Sequence, residues 1–575
     1  MEHWILQCKK ADFAGISERF NISPLLARII RNRDIISDED IYKYLHPDIK
    51  DMYDPFLLKG MEEGTDMVLR AIEEGEKIRI IGDYDVDGVC SSYILKTFIE
   101  QAGGRADVCL PDRMLEGYGM NENMVTRAAL DGVRLIITCD NGISANAAAA
   151  AAREAGIGVI VTDHHEPPEV LPDADVIIDA KQPGCPYPFK EICGGAVAFK
   201  FAQALNTKLK TDNSECLDML MQFAGMATIA DIVPLTDENR IFAHEGLKRL
   251  RKTGNAGINA LLNIKGIAGD SLSAWHVGFI LGPCINSAGR LKNAAIAFDL
   301  LSADNSETAL RLAQELSDLN DIRKSLTAGQ TNAALEELRG KSENNTLEKI
   351  IVQYLPKAHE SVAGIIAGRI KDEFNRPAIV VTSGTEGLKG SGRSTDTYNM
   401  IEALREHEGL FEKYGGHAKA CGFSLVQGTT PEDAVRHFSE VLNSSCSISD
   451  EELVKYIRAD MQLPFRYVTE DFINELNILE PFGMNNEKPV FANKNIRIVS
   501  AYILGKNNNV MKMQLADSDG TLIEGVMFGD EKAVAGQYES IINASEAAVL
   551  FYPEINEFRG TKTVQIRIIS LKITA

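Results

Sequence analysis

A chain of 575 residues is too long for one core and predicts three or four domains. Its 45% hydrophobic and 25% charged residues describe an ordinary globular protein, and no apolar run approaches the ~20 residues of a membrane-spanning helix. A formal net charge of −22 argues against bulk attraction to nucleic acid, although it says nothing about where charge lies.

No N-terminal stretch joins a basic region to a long apolar core, so no signal peptide is expected. The ten cysteines show no Cys-x-x-Cys. Most sit inside apolar runs (Cys109, Cys139, Cys284), which predicts reduced core thiols in a cytoplasmic protein and speaks against disulfides or zinc.

Residues 1–50 carry a mixed helical pattern, with Ser23-Pro24 at a helix start and Leu25, Leu26, Ile29 and Ile30 following. They read as a small helical lead-in, joined by 51–58 to a helix over 60–74. The stretch 78–90 then organises the chain. Its first half is a buried parallel strand. Its second half places Asp83, Asp85 and Asp87 at alternate positions, closed by Gly88, with a helix over 91–101. Taken alone, this is either a solvated acidic turn or a cation site.

Two further strand ends favour the cation. The run 135–138 ends in Cys139-Asp140-Asn141-Gly142, and 159–162 ends in Asp163-His164-His165. Open α/β sheets place ligands in the crevice at the carboxyl ends of their strands. Like charges gathered there repel unless a positive ion sits among them. Carboxylate oxygens mixed with imidazole suit Mn²⁺ or Mg²⁺ better than structural zinc. Asp140 lies between the other two groups in sequence and is the candidate to bridge two ions.

From 78 to 232 strands and helices alternate, predicting a parallel sheet covered on both faces. A strand over 108–110 leads into a Gly-rich loop, 111–119, whose Arg113 either reaches a phosphate or lies on a surface turn. A further strand spans 176–179, and the three prolines of 183–188 exclude a central strand. Helices over 194–205 and 217–229 follow. The second ends at Asp231-Ile232-Val233-Pro234, where Asp231 is either a turn residue or, preferred beside the other ligands, a fourth carboxylate.

Residues 240–345 read as mostly helical. The basic cluster Lys248, Arg249, Arg251, Lys252 suits a solvated face. The stretch 282–290 interrupts the pattern with small residues and Arg290, letting backbone approach a ligand. Leu312, Leu316, Leu319, Ile322 and Leu326 mark a long amphipathic helix. A second α/β unit covers about 350–428, with strands over 350–354 and 378–381 and a helix over 362–375. Its Gly-rich loops hold Ser391 and Arg393, then Gly415, Gly416 and His417, groups suited to phosphate. Five β-prone runs (496–503, 510–515, 522–528, 548–552, 563–569) fit a small closed barrel of the oligonucleotide-binding type, or any small β domain.

The expected fold class is therefore α/β: two α/β domains flanking a cleft, joined by a long helix, plus a C-terminal β-barrel. The expected boundaries are a helical lead-in at 1–60, the first α/β domain at 61–240, a helical region with the connecting helix at 241–345, the second α/β domain at 346–450, and the barrel at 451–575.

These motifs resemble a known family. Asp163-His164-His165, the Asp-x-Asp-x-Asp-Gly of 83–88 and Asp140-Asn141-Gly142 resemble the DHH phosphoesterases. Gly415-Gly416-His417 followed by Ala-Lys-Ala-Cys-Gly resembles the DHHA1 domain. The stretch 556–566 resembles the barrel (OB-fold) signature of the RecJ family of bacterial single-strand-specific 5′→3′ exonucleases, and 282–290 narrows the likeness to it. The resemblance implies metal ligands at Asp85, Asp87, Asp140, His164 and Asp231, with Asp83 as a sixth. It implies that His165 touches the scissile phosphate or helps the leaving group. Arg290, Ser391, Arg393 and His417 would hold phosphates of the strand. Several relatives carry a His where this chain has Ile81.

The implied function is metal-dependent 5′→3′ hydrolysis of single-stranded DNA to mononucleotides in repair and recombination, with two Mn²⁺ or Mg²⁺ ions. The resemblance also implies a cytoplasmic monomer, with a single-strand-binding protein and a RecQ-type helicase as partners. Two alternatives compete. A phosphodiesterase of short oligonucleotides, cyclic dinucleotides or pyrophosphate would not need the barrel or the long helix. A non-catalytic replication partner would not keep Asp and His at every motif.

Overall fold

The structure is a computed structural model that describes residues 2–113, 115–384, 387–426, 430–542, 544, 546–558 and 560–574. Gly428, the expected edge of the second α/β unit, and Arg559 of the barrel signature lie outside the described residues, as does Met114 of the 111–119 loop.

The lead-in is not purely helical. It opens with β1 (Glu2–Leu6) and continues through helices Phe13–Phe20, Pro24–Asn32 and Asp38–Leu45. Ser23 caps the second of these, accepting the Leu26 N–H at 3.1 Å, with Pro24 in the first turn.

The first sheet holds β2 (Lys77–Ile81), β3 (Arg105–Cys109), β4 (Val133–Cys139), β5 (Gly158–Thr162) and β6 (Val176–Ile178). Its order is β3-β2-β4-β5-β6, with every pair parallel. Ile78, Ile80, Ile137 and Ile160 face one core, together with the helices Val86–Gln101, Gly194–Lys208 and Ser214–Ala230. Ile81, Ile136, Val159 and Val161 face the other. Apolar runs of this kind, buried on both faces, are what a parallel sheet requires.

The helix after β2 begins at Val86, five residues earlier than its apolar pattern suggests, because Asp85 serves as its cap. The stretch 282–290 does not interrupt the helical region. It is itself helix (Gly282–Leu291), entered from a π turn over Val277–Leu281. The long helix is Ser306–Glu343. Its apolar residues Leu312 and Leu316 face the first core, while Ala334 and Leu338 pack in the second α/β unit. The basic cluster near 250 is ion-paired: Lys248 and Arg249 meet Glu245, and Arg249 also meets Asp218.

The second unit contains β7 (Ile351–Tyr354), the helix Glu360–Phe374, β8 (Ala378–Gly384), β9 (Gly387–Arg393), β10 (Phe411–His417) and β11 (Ala420–Leu425), in the order β10-β11-β9-β8-β7. Its two Gly-rich segments are strands, not loops. The glycines permit close packing: a Cβ at Gly390 would lie 2.1 Å from the Phe423 ring, and one at Gly392 would lie 2.7 Å from Cys421 Sγ.

The last part contains β12 (Lys455–Ala459), β13 (Met461–Gln462), β14 (Phe491–Leu504), β15 (Val510–Ala516), β16 (Leu522–Phe528), β17 (Ala547–Phe558) and β18 (Thr561–Ile573). The order β14-β15-β16-β18-β17 closes through β14–β17 pairing, giving a five-stranded barrel. β1 pairs with β12, and Leu26, Ile29 and Ile30 share one core with Phe465, Phe491 and Phe551. The lead-in is thus part of the barrel's hydrophobic unit, a long-range pairing that local pattern cannot reveal. All ten cysteines are free.

Candidate metal centre and phosphate cavity

The carboxyl ends of β2, β4 and β5 bring the acidic motifs to one edge of the sheet. Three groups of donors gather there, each within 4.8 Å: Asp83, Asp85 and Asp140; Asp87, His164 and Asp231; and Asp140, His164 and His165. Asp140 and His164 each belong to two groups, and His164 Nε2 lies 3.0 Å from Asp140 Oδ1.

Local structure fixes each side chain. Asp85 Oδ1 accepts the N–H groups of Asp87 and Gly88 at 2.9 and 3.1 Å, capping the helix and fixing the carboxylate beside Asp83 and Asp140. Asp87 is buried, and its two oxygens accept Gly194 and Gly195 N–H at 2.7 and 2.6 Å. A helix N-terminus thereby holds this carboxylate. Asp140 sits at φ 61, a left-handed backbone that Asp tolerates better than most residues. Its carbonyl accepts Tyr118 O–H at 2.7 Å. Asn141 ties the strand ends together by donating to the Ile81 and Cys139 carbonyls at 3.0 and 2.9 Å. Asp231 is the residue that ends the helix Ser214–Ala230, and its Oδ2 lies 3.8 Å from His164 Nε2.

Asp163 plays a different part. It accepts Ile143 N–H at 2.9 Å, His164 N–H at 2.8 Å and His165 Nδ1 at 2.7 Å. Burial opposes its charge, yet the His165 contact keeps it below the usual carboxylate range. Burial likewise opposes charge on His165, but Asp163 lifts the ring to about 9. His164 moves the other way: burial, then His165, push it down to about 3, leaving a neutral imidazole.

The remaining carboxylates are in electrostatic conflict. Burial, then Asp85, raises Asp83 well above its usual range. Burial, then Asp87, does the same to Asp140 and Asp231. Burial and Asp85 push Asp87 to about 7 against the pull of the two glycine N–H groups. Asp83 Oδ1 is buried without a hydrogen-bond partner. A buried carboxylate oxygen lacking a donor, among mutually repelling neighbours, fits a divalent cation. The absence of thiolates from the donor set fits Mn²⁺ or Mg²⁺.

Across the cleft lies a cavity of about 590 Å³ lined by Arg113, Tyr118 and Arg290 on one side and by Ser391, Arg393 and Lys413 on the other. Arg113 stacks over Tyr84 at 4.9 Å. Arg290 donates to the Ser361 carbonyl at 2.9 Å, and Arg393 to the Gly392 carbonyl at 2.7 Å. Arg393 also donates to Ser391 Oγ at 3.4 Å; these are neutral oxygens, which leave the positive charges for an anion. In a chain whose net charge is −22, this cavity gathers Arg113, Arg290, Arg393 and Lys413 in one place.

The structure separates one group that the sequence reading kept together. His417 does not line the cavity. Its ring stacks on His165 with centroids 6.0 Å apart and planes 19° apart. Gly416, at φ 137, makes this possible, since a Cβ there would lie 2.3 Å from the Ala420 carbonyl. Gly415 is exposed on the same strand. Sequence reasoning missed Tyr118, whose hydroxyl also lies 3.2 Å from His165 Nδ1, and the Gly194-Gly195 grip on Asp87. A paired glycine at a helix start was the available signal for the grip; Tyr118 offered none beyond its Gly-flanked loop.

Residues 77–226 match the DHH family, N-terminal domain; 347–447 match the DHHA1 domain; and 459–570 match the RecJ OB domain. The chain is 36% identical to the single-stranded-DNA-specific exonuclease RecJ of Bacillus subtilis over 568 residues, covering 98% of this chain and 70% of that protein. Among solved structures, RecJ from Thermus thermophilus in complex with Mn²⁺ superposes with a TM-score of 0.83 at 26% identity, covering 100% of this chain and 80% of that one. The same protein in complex with Mg²⁺ gives 0.76 at 25% identity, covering 100% and 79%. Among the described residues no helix is long and apolar enough to cross a membrane.

Proposed function

The chain belongs to the RecJ family, and from that premise we propose that it is a divalent-metal-dependent exonuclease that digests single-stranded DNA from its 5′ end to mononucleotides. The observation that carries the reading is the pairing of a carboxylate group and an adjoining carboxylate–histidine group with an arginine-lined cavity across one cleft. In this reading Asp83, Asp85 and Asp140 would hold one cation and Asp87, His164 and Asp231 another, with Asp140, 3.0 Å from His164, the candidate to serve both. Mn²⁺ or Mg²⁺ at these positions would activate the attacking water and neutralise charge on the scissile phosphate.

The chain's own groups do the rest. Asp163 keeps the His165 ring oriented through Nδ1, so that Nε2 can give a hydrogen bond to a phosphate oxygen. His417 stacks behind it and closes the cleft from the second domain. Arg113, Arg290, Ser391 and Arg393 receive the terminal 5′ phosphate and so measure the end of the strand. Gly194 and Gly195 fix Asp87. The barrel grips the strand further along.

Family likeness extends the reading to a single-strand-binding protein and a RecQ-type helicase as partners, to a monomer, to the cytoplasm and to DNA repair. A smaller-substrate phosphodiesterase is disfavoured by the closed barrel and the long connecting helix. The test is digestion of a labelled long single strand beside a dinucleotide, with Mn²⁺ or EDTA. Release of mononucleotides from the long strand only when metal is present supports the reading; hydrolysis of the dinucleotide alone overturns it.

A further inference from the structure

The connecting helix Ser306–Glu343 changes character between the two α/β units. At one end Leu312 and Leu316 face the first core, and at the other Ala334 and Leu338 face the second. In between, the pattern is inverted. Ile322 and Leu326, which the sequence pattern places with the core, are 51% and 42% exposed, while Asn320, Thr327 and Thr331 are buried. Asn320, Arg323, Thr327 and Thr331 follow one another at three- and four-residue spacing, along one face. Of these, Asn320 Oδ1, Arg323 Nε and Thr331 Oγ1 are buried without a hydrogen-bond partner. Buried polar atoms are normally partnered, so this face suits a contact that the chain itself does not supply.

Arg323 is the charged member of the face. Among the described residues its guanidinium makes no ion pair and no hydrogen bond, and the same holds for Arg369 of the helix Glu360–Phe374. Further along the same pair of helices Arg339 meets both Glu373 and Asp530. In a chain with 82 acidic and 60 basic residues, carboxylate partners are not scarce. Burial, then the Arg369 charge, weakens protonation of Arg323. Arg323 in turn acts on Arg290, after burial and Arg113. Arg290 lines the arginine cavity, whereas Arg323 and Arg369 lie outside it. The helix that carries Arg369 backs that cavity, since a Cβ on its Gly364 would lie 2.8 Å from Arg393 Nη2. Arg290, Arg323 and Arg369 thus run from the cavity wall, through a half-buried position, to an exposed one. Like charges in series without counter-ions attract an anion.

We propose that Arg323 and Arg369 form a second anion site, outside the cavity, for a phosphate monoester dianion, and that its occupant is the mononucleotide product on its way out. The choice of occupant rests on the reading of the chain as a single-strand exonuclease. In that reading hydrolysis leaves a nucleotide whose 5′ phosphate still lies among Arg113, Arg290 and Arg393, while the shortened strand still fills the cleft. Passage from Arg290 to Arg323 to Arg369 offers that phosphate a cation at each stage and clears the cavity for the next 5′ end. Free orthophosphate shares this chemistry and is the competing source.

The test is equilibrium dialysis of the full chain in EDTA, where no turnover occurs, against thymidine monophosphate, orthophosphate and thymidine. Wild type is expected to hold two thymidine monophosphates per chain and no thymidine. Arg323→Gln and Arg369→Gln are each expected to keep one, with the second weakened about tenfold or more, the scale of a lost charged hydrogen bond to phosphate. If Arg323→Gln fails to fold, Arg369→Gln, at an exposed position, decides alone. Equal binding of thymidine monophosphate by wild type and Arg369→Gln would overturn the site. Orthophosphate bound there as tightly as the nucleotide would keep the anion site and overturn the product as its occupant. Failure of the wild type to digest any strand, with nucleotide binding still lost in Arg369→Gln, would remove the exonuclease reading and leave the anion site standing.

Discussion

Arg393→Ala tests how the end of the strand is measured. Arg393 lies in the cavity with Arg113, Arg290 and Ser391, and its guanidinium is held by the Gly392 carbonyl at 2.7 Å rather than by a carboxylate. A charged hydrogen bond to phosphate contributes roughly 1.5–3 kcal/mol. One part of that is returned on mutation. Burial, then Arg113, weakens protonation of Arg290, which falls to about 10, and burial likewise lowers Arg393, with Arg113 adding to the effect. Removing one cation relieves this repulsion in the empty cavity, so the lower end of the range applies. About 1.4 kcal/mol is tenfold, and the expected loss is therefore about tenfold in kcat/KM on 5′-phosphorylated strands. On 5′-hydroxyl strands the loss should be much smaller, because the dianion proposed to bind Arg393 is missing. The assay is steady-state digestion of both ends by wild type and variant. His417→Ala is the control: its ring stacks on His165, outside the cavity, so both ends should suffer alike. An equal drop on both ends for Arg393→Ala would refute the end-binding role and make this arginine a general grip on the strand.

Asp140→Ala should abolish digestion while leaving single-strand affinity within a few-fold of wild type, since Asp140 stands in two donor groups and the proposed phosphate contacts lie in the arginine cavity; nuclease rate and affinity measured together decide it, and a normal rate would sink the metal assignment. Blunt duplex should be a poor substrate, because a duplex is about twice as wide as the single strand the cleft is proposed to take; equal rates on blunt duplex and single strand would contradict this. Mn²⁺ at 100 times its Kd should stabilise the fold by about 2.7 kcal/mol, seen as a rise in Tm. Asp83→Asn should shrink that rise without lowering the metal-free Tm, because it removes charge from a carboxylate whose buried oxygen lacks a donor; an unchanged Mn²⁺ shift would free Asp83 from any role at the metal.

The sequence by itself determined the acidic edge. Apolar runs ending in Asp-rich turns specify buried parallel strands, and strands of one parallel sheet deliver their C-termini to one side, so Asp83, Asp85, Asp87, Asp140 and His164 had to meet. It also determined the five barrel strands, whose period-two alternation is local. Tertiary structure alone decided three things. It separated His417, stacked on His165, from Arg393 in the cavity, although both follow Gly-rich motifs of one domain. It joined the lead-in to the barrel through β1 and β12, residues separated by most of the chain. It gave Asp163 and Asp87 different roles: one orients His165, the other is gripped by the N-terminus of a distant helix. The physical reason is the same in each case. Periodicity and turn chemistry act over a few residues, whereas which carboxylate is desolvated, which is paired and which faces a cation depends on groups brought together from far along the chain.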